Sequence, residues 1–232
     1  MKLVKRLFFS TVYLFKRLYE LITYLIYPPY CAQCKKFLEN RSVFCKECAL
    51  QIQSVATIPL KVTKKWSIPV LALSAYKKPI QQLILAKGRS NRTASYQLAK
   101  LIWDRTPIRN LSVDYFIPIP LHWRRYAKRG YNQAEVIAKY LAEKKGADVY
   151  NGLQRVKHTK FQSSCSGQGR ADNVKDAFSL CVTDNNQFKG KHLVIVDDLM
   201  TTGSTLQAAV RELCKVRPAS ITAIVACRVT SK

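Results

Sequence analysis

The stretch Leu193-Val-Ile-Val-Asp197-Asp198-Leu-Met-Thr201-Thr202-Gly203-Ser204-Thr205 decides the fold. An apolar run leads into two adjacent carboxylates, then a hydroxyl-rich turn, then a helical pattern over Thr205–Lys215. Four consecutive apolar residues bounded by a turn read as a buried strand, His192–Val196, and a buried strand feeding a helix belongs to an α/β sheet. The turn has a use. Backbone N–H groups at a helix start, together with the hydroxyls of Thr201, Thr202, Ser204 and Thr205, can cradle a phosphate, and Gly203 lets the backbone come close. Asp197 and Asp198 repel that phosphate but accept hydrogen bonds from sugar hydroxyls lying across the strand end, where ligands of open α/β sheets bind. The bland alternative is a buried strand with an Asp-capped turn.

Outward from this centre the same alternation repeats. Val70–Tyr76, Tyr115–Ile119 and Ile221–Cys227 read as strands; Ile80–Ala86, Ala94–Trp103 and Gln133–Lys144 read as helices. Strands alternating with helices predict a mostly parallel sheet with flanking helices. Residues 121–129 read as a basic turn after a strand, in which Arg124, Arg125, Lys128 and Arg129 can receive a pyrophosphate or a nucleic-acid backbone. Within it His122 suits hydrogen bonding inside the loop, and Trp123 suits either base stacking or ordinary packing. Asn132 and Gln133 sit where a helix cap is needed. Residues 157–170 are polar, with three serines and two glycines, and read as a loop.

Cys31-x2-Cys34 and Cys45-x2-Cys48 are separated by ten residues. Each pair clips a tetrahedral metal from a tight turn. Soft thiolates at this spacing select Zn²⁺, and four of them leave no open position, so the zinc is structural. Free or disulfide-bonded cysteines are the alternative. The remaining four cysteines are scattered and are expected to be small buried apolar residues. With no signal peptide legible, the compartment reads as reducing cytosol.

The chain has 232 residues, enough for one sizeable core and a small satellite module, and 48% hydrophobic residues exclude global disorder. Its 39 Lys and Arg against 14 Asp and Glu give a net charge of +25. Such an excess repels itself in the folded state and points to a polyanionic partner, nucleic acid first and anionic lipid second. No acidic residue occurs between Ala49 and Trp103. Residues 1–27 read as one amphipathic helix with Lys2, Lys5, Arg6, Lys16, Arg17 and Glu20 on a single arc, ended by Pro28-Pro29. Its charges exclude an ordinary membrane span. It suits packing against the protein's own domain, the favoured placement, or peripheral contact with a membrane interface.

The 193–205 stretch resembles the signature by which type I phosphoribosyltransferases bind phosphoribosyl pyrophosphate (PRPP). The resemblance implies that Asp197 and Asp198 hold the ribose 2′ and 3′ hydroxyls and that Thr201–Thr205, with Thr202, Gly203 and Ser204 between them, hold the 5′-phosphate. It also implies that the loop bearing Arg124, Arg125, Lys128 and Arg129 contacts the pyrophosphate. Further stretches narrow the resemblance. Ile117-Pro-Ile-Pro-Leu-His122-Trp-Arg124-Arg125, Lys128-Arg129-Gly130-Tyr131-Asn132-Gln133-Ala134, and Arg155 to Gln162 with Arg170, Asn173, Ala177 and Phe178, are similar to the ComF/GntX family. The four-cysteine module in front fits the same family. The implied organisation is a leader helix over 1–30, a zinc module over 31–60 and a phosphoribosyltransferase-like domain over 61–232.

The family is associated with uptake of single-stranded DNA in natural transformation. With the cytosolic reading above, the resemblance implies a cytoplasmic protein that binds single-stranded DNA and holds PRPP or a nucleotide; the peripheral alternative for residues 1–27 would set it at the inner face of the membrane. The alternatives are an active phosphoribosyltransferase using PRPP with Mg²⁺, and an interaction module docking membrane-bound uptake proteins. Purine phosphoribosyltransferases carry an acid where this chain has Thr201, and no motif residue nearby replaces it. The sequence thus supports holding a phosphoribosyl group better than transferring it, and no residue is assigned a catalytic role.

Overall fold

The computed structural model describes residues 26, 28–40, 42–63, 65–86, 92–155, 177–181 and 186–229. The leader helix expected over 1–27, apart from Ile26, lies outside them, as do the loop over 157–170, Lys64, Arg170 and Asn173. The chain forms two compact units, residues 1–50 and 51–232.

In the first unit a reversing turn brings Cys31 N to Lys36 O at 2.8 Å and Lys35 N to Cys31 O at 3.0 Å, with Lys35 at φ 64. Tyr30 and Phe37 pair across it. A short helix, α1 (Lys46–Leu50), closes the unit. Leu38, Val43, Phe44, Cys31 and Cys48 are its buried apolar groups.

The second unit is built on a six-stranded sheet in the order β1-β2-β8-β7-β3-β4. The strands are β1 (Ile58–Lys61), β2 (Ser67–Ala75), β3 (Tyr115–Pro118), β4 (Asp148–Val149), β7 (His192–Met200) and β8 (Ser220–Arg228). Only the edge strand β1 is antiparallel. Pro59 and Pro69 face each other at that edge, where a missing ladder donor is tolerated. A separate antiparallel ribbon joins β5 (Leu153–Arg155) to β6 (Phe178–Leu180). The helices are α2 (Ile80–Ala86), α3 (Arg92–Arg105), α4 (Trp123–Arg129), α5 (Gln133–Lys145) and α6 (Ser204–Cys214). The sheet interior is a continuous apolar core in which Leu193, Ile195, Leu206, Val210, Leu213 and Ile221 meet.

The expected mixed α/β architecture holds, and three local readings are corrected. The basic stretch after β3 is a helix, α4, not a turn: His122 caps it by accepting from Arg124 N at 3.3 Å, and Gly130 ends it at φ 74. Four basic residues in seven hide its weak periodicity. Second, β7 does not stop before the acids but runs through Asp197 and Asp198 to Met200, because β8 continues beside it, pairing Asp197 with Val225 and Met200 with Arg228. Third, of the scattered cysteines that are described, Cys227 is buried but Cys181 and Cys214 are exposed. A cysteine's burial is set by the face its element presents, and that is not written in its neighbours.

Topology opens a crevice at one end of the sheet. From β3 the chain passes through α5 outward to β4, whereas from β7 it passes through α6 in the opposite direction to β8. β3 and β7 are adjacent and parallel, Tyr115–Pro118 against Leu193–Val196. Right-handed crossovers leaving in opposite directions put α5 and α6 on opposite faces and open a gap at the carboxyl ends of the two strands.

Candidate ligand crevice and four-cysteine cluster

Two segments reach the gap. Ile119 N donates to Val196 O at 2.8 Å, so the Pro118–Pro120 segment leaves the sheet one residue from Asp197. Side chains alternate along a strand. Asp197 therefore shares a face with Ile195, and Asp198 with Val196, and the two half-buried carboxylates flank the strand end from either side. Asp197 Oδ1 turns forward to accept from Asp198 N at 2.8 Å.

After Met200 the chain makes the expected turn. Gly203 stands at φ 79 as the N-cap of α6. Thr202 Oγ1 and Ser204 Oγ lie 3.1 Å apart, and both Thr201 and Thr202 are exposed. The turn thus presents hydroxyls and the first amides of α6 on one side, an arrangement suited to an anion. Glycine is required here on two counts: the left-handed backbone, and a Cβ that would come within 2.6 Å of Leu60 Cδ1. Gly203→Ala is expected to cost about 1–2 kcal/mol from the backbone alone, read as a lower denaturation midpoint, and to displace the turn against Leu60.

The basic helix α4 follows the Pro118–Pro120 segment at the same end of the sheet. Arg124 lies over the Trp123 ring at 5.2 Å, and Arg129 donates to Gln133 Oε1 at 3.3 Å. Lys128 is in the helix. Asn132 caps α5 by accepting from Ala134 N at 3.1 Å, and its amide donates to Ile119 O at 3.0 Å, which locks the helix start to the Pro118–Pro120 segment. Beside that segment lies a cavity of about 210 Å³, walled by Pro118, Leu121, Tyr126, Asn132, Glu135 and Leu153.

One residue of the crevice escaped the reading of individual side chains. Arg155, at the end of β5, stacks on Phe178 of β6 with its guanidinium 5.6 Å from the ring. Burial holds its pKa below the ordinary value, the nearby charge of Arg125 lowers it further, and Asp197 opposes both. The ribbon, α4 and the end of β7 therefore bring their charges to one place. Arg155 lies in a stretch carrying the family resemblance, but nothing local marks it as a neighbour of Asp197.

In the first unit, Cys31, Cys34, Cys45 and Cys48 put their four Sγ atoms within 4.8 Å of one another. Cys34 and Cys45 Sγ are 3.7 Å apart. Zn–S bonds of roughly 2.3 Å span a tetrahedron with an edge of about 3.8 Å, so the donor set fits the ion in chemistry and in size. Burial and the three neighbouring thiols push Cys48 up to about 12. Burial also raises Cys31, but hydrogen bonds from the Cys34, Cys45 and Gln33 backbones and the Cys34 thiol outweigh it and lower Cys31 to about 6. Four thiols this close cannot all ionise without a cation among them. Glu47 accepts from Cys45 Sγ at 3.1 Å and pairs with Lys36 at 3.6 Å.

Comparison with known proteins gives the following likenesses. The phosphoribosyl transferase domain family matches residues 127–232. Competence protein F of Haemophilus influenzae is 32% identical over 195 residues, covering 81% of this chain and 80% of its own. DNA utilization protein YhgH of Salmonella typhimurium is 29% identical over 210 residues, covering 85% and 89%. Among solved structures, the glutamine PRPP amidotransferase from B. subtilis complexed with ADP and GMP aligns with 60% of this chain and 26% of its own, at 17% identity and a TM-score of 0.37.

Proposed function

Because the chain belongs to the ComF (competence protein F) family, with its phosphoribosyltransferase-like domain, we propose that it binds single-stranded DNA during DNA uptake. We propose further that it holds a phosphoribosyl ligand, PRPP or a nucleotide, in the crevice between β3 and β7. The observation that carries the reading is the juxtaposition at the carboxyl ends of these strands: Asp197 and Asp198, the Thr201–Thr205 turn, and the basic helix α4.

In this reading the carboxylates accept the ribose hydroxyls and the turn holds the 5′-phosphate. Arg124, Arg125, Lys128 and Arg129 answer the pyrophosphate or a DNA backbone. Mg²⁺ accompanies PRPP as the counter-ion of its pyrophosphate. Thr201 offers no group to manage a base's proton, which favours holding the ligand over transferring its sugar. The four-cysteine cluster holds one structural Zn²⁺. No helix among the described residues is long and apolar enough to cross a membrane. Contact with a membrane face, through residues 1–27, and with uptake proteins belongs to the proposal.

The net charge of +25 supports the nucleic-acid half of the reading. Affinity for single-stranded DNA is expected to fall with salt by about 0.7 log units per log unit of salt for each phosphate neutralised. Reversing Arg124 and Arg125 to Glu should lower both the affinity and that slope. A fluorescence-anisotropy titration across salt concentrations measures both. A weak complex that ignores salt would remove DNA binding from the reading.

A further inference from the structure

From the crevice a surface of exposed rings and cations leads outward over α4. On α4, Trp123 and Tyr126 are 66% and 50% exposed, three residues apart and therefore on one helical face. Such rings normally seek cover, and two on a seven-residue helix that also bears Arg124 and Arg125 are unusual company. The ring of Trp123 has two neighbours: Arg124 lies over it at 5.2 Å, and the His122 ring lies 5.7 Å away at 36°.

Just past α4 the ring of Tyr131, itself buried, anchors the guanidinium of the exposed Arg92 at 5.7 Å. Arg92 is the first residue of α3 and also opens a groove of about 450 Å³ between α3 and α5. Tyr96 and Tyr140 form the floor of that groove, edge to face at 4.9 Å, and Tyr96 is 53% exposed. Lys139 lines the groove and pairs with Glu135 at 2.7 Å; Lys144 lies over Tyr140 at 5.7 Å. Glu143 is the one carboxylate in the lining.

Aromatic faces alternate with cations along this path, while α3 belongs to the tract that has no acidic residue before Asp104. That alternation is what an unpaired nucleic-acid strand needs: π-faces that accept any base, and cations spaced to meet the phosphates between them. A duplex hides its base faces and cannot use the rings. An apolar helix docking in the groove would find arginine and lysine at its mouth.

We propose that the α4–α3–α5 surface is the track for single-stranded nucleic acid, with bases stacked on Trp123 and Tyr126 and then on Tyr96 in the groove. Arg124, Arg92 and Lys139 meet the phosphates, and the strand leaves before Glu143. The inference rests on the single-stranded-DNA reading above and gives it a place.

The test uses the full protein and a fluorescein-labelled oligothymidylate. Tyr96→Ala and Trp123→Ala should each weaken binding roughly 5- to 100-fold, the range for one stacked base. Neither should change the salt slope, because neither removes a charge. Tyr96→Phe should bind like wild type, since it keeps the π-face. In a protein with Trp66→Phe and Trp103→Phe, the fluorescence of Trp123 should quench on titration with the oligonucleotide. If wild type binds and both alanine variants bind equally well, the track is wrong while the DNA reading stands; a protein partner on this face would give that result. If the alanine variants lower the salt slope, the effect is electrostatic and stacking is refuted. If wild type does not bind at all, the DNA reading fails and takes the track with it.

Discussion

Metal analysis of protein purified without chelator is expected to find close to one zinc per chain, and the ion should be inseparable from the fold of the first unit. The physical reason is how little apolar surface the described residues around the thiols bury. Among its described residues the buried apolar side chains are Leu38, Val43 and Phe44 beside the sulfurs of Cys31 and Cys48, so the segment around the four thiols has little apolar packing of its own to hold it without a metal or a disulfide. Structural zinc contributes about 10–16 kcal/mol in isolated zinc modules at neutral pH, far more than such a core supplies. Cys31→Ser or Cys48→Ser should therefore abolish stoichiometric zinc. It should also expose the backbone amides of Cys31, Ala32 and Leu38, protected by the hydrogen bonds of the turn, to rapid hydrogen exchange. Cys214→Ser, exposed and remote in sequence, is the matched control and should change neither readout. A chain free of metal, with those amides still protected, would mean that the four thiols are held together by something else.

Replacing Asp197 and Asp198 with Asn is expected to cost about 30-fold in PRPP affinity while single-stranded-DNA binding survives. Each charged acceptor contributes roughly 1 kcal/mol more to a hydrogen bond than its neutral counterpart, and two are lost. The substitution is nearly isosteric, and both positions lie at the half-buried end of β7, outside the fully buried run Leu193–Val196, so the fold should persist. Removing two negative charges makes the protein more positive, which leaves DNA affinity equal or slightly higher. Calorimetry with PRPP and Mg²⁺, beside anisotropy with an oligonucleotide, reads both. Equal PRPP affinity in wild type and variant would mean that the acids only order the local backbone, as the hydrogen bond from Asp198 N to Asp197 Oδ1 does at the end of β7. A simultaneous loss of DNA binding would mean that pocket and strand share one site.

Much of this protein was legible in its residues. Apolar runs bounded by turn formers located β2, β3, β7 and β8 to within a few residues, since burial on both faces of a parallel sheet demands such runs. Helices α2, α3, α5 and α6 followed from apolar spacing, and Asn132 and His122 took the local hydrogen-bonding roles their positions suggested. The cysteine spacing was enough to anticipate the cluster, because a two-residue gap confines each thiol pair to one turn. These are short-range properties, settled by neighbours a few positions apart.

Only the tertiary structure decided the rest. Helix α4 has too little apolar periodicity to announce itself, and β5 and β6 are three-residue segments that become strands only by pairing with each other. The convergence of Arg125, Arg155 and Asp197 joins three elements across seventy residues. The stacking of Arg92 on Tyr131, and of Tyr96 against Tyr140, depends on which face of the sheet receives α3 and α5. Periodicity states that a helix has an apolar side; it does not state what that side meets. The strand end, turn and helix start of the crevice could be located from their own thirteen residues, but its walls, and the aromatic path beside it, come from the direction in which the chain leaves β3 and β7.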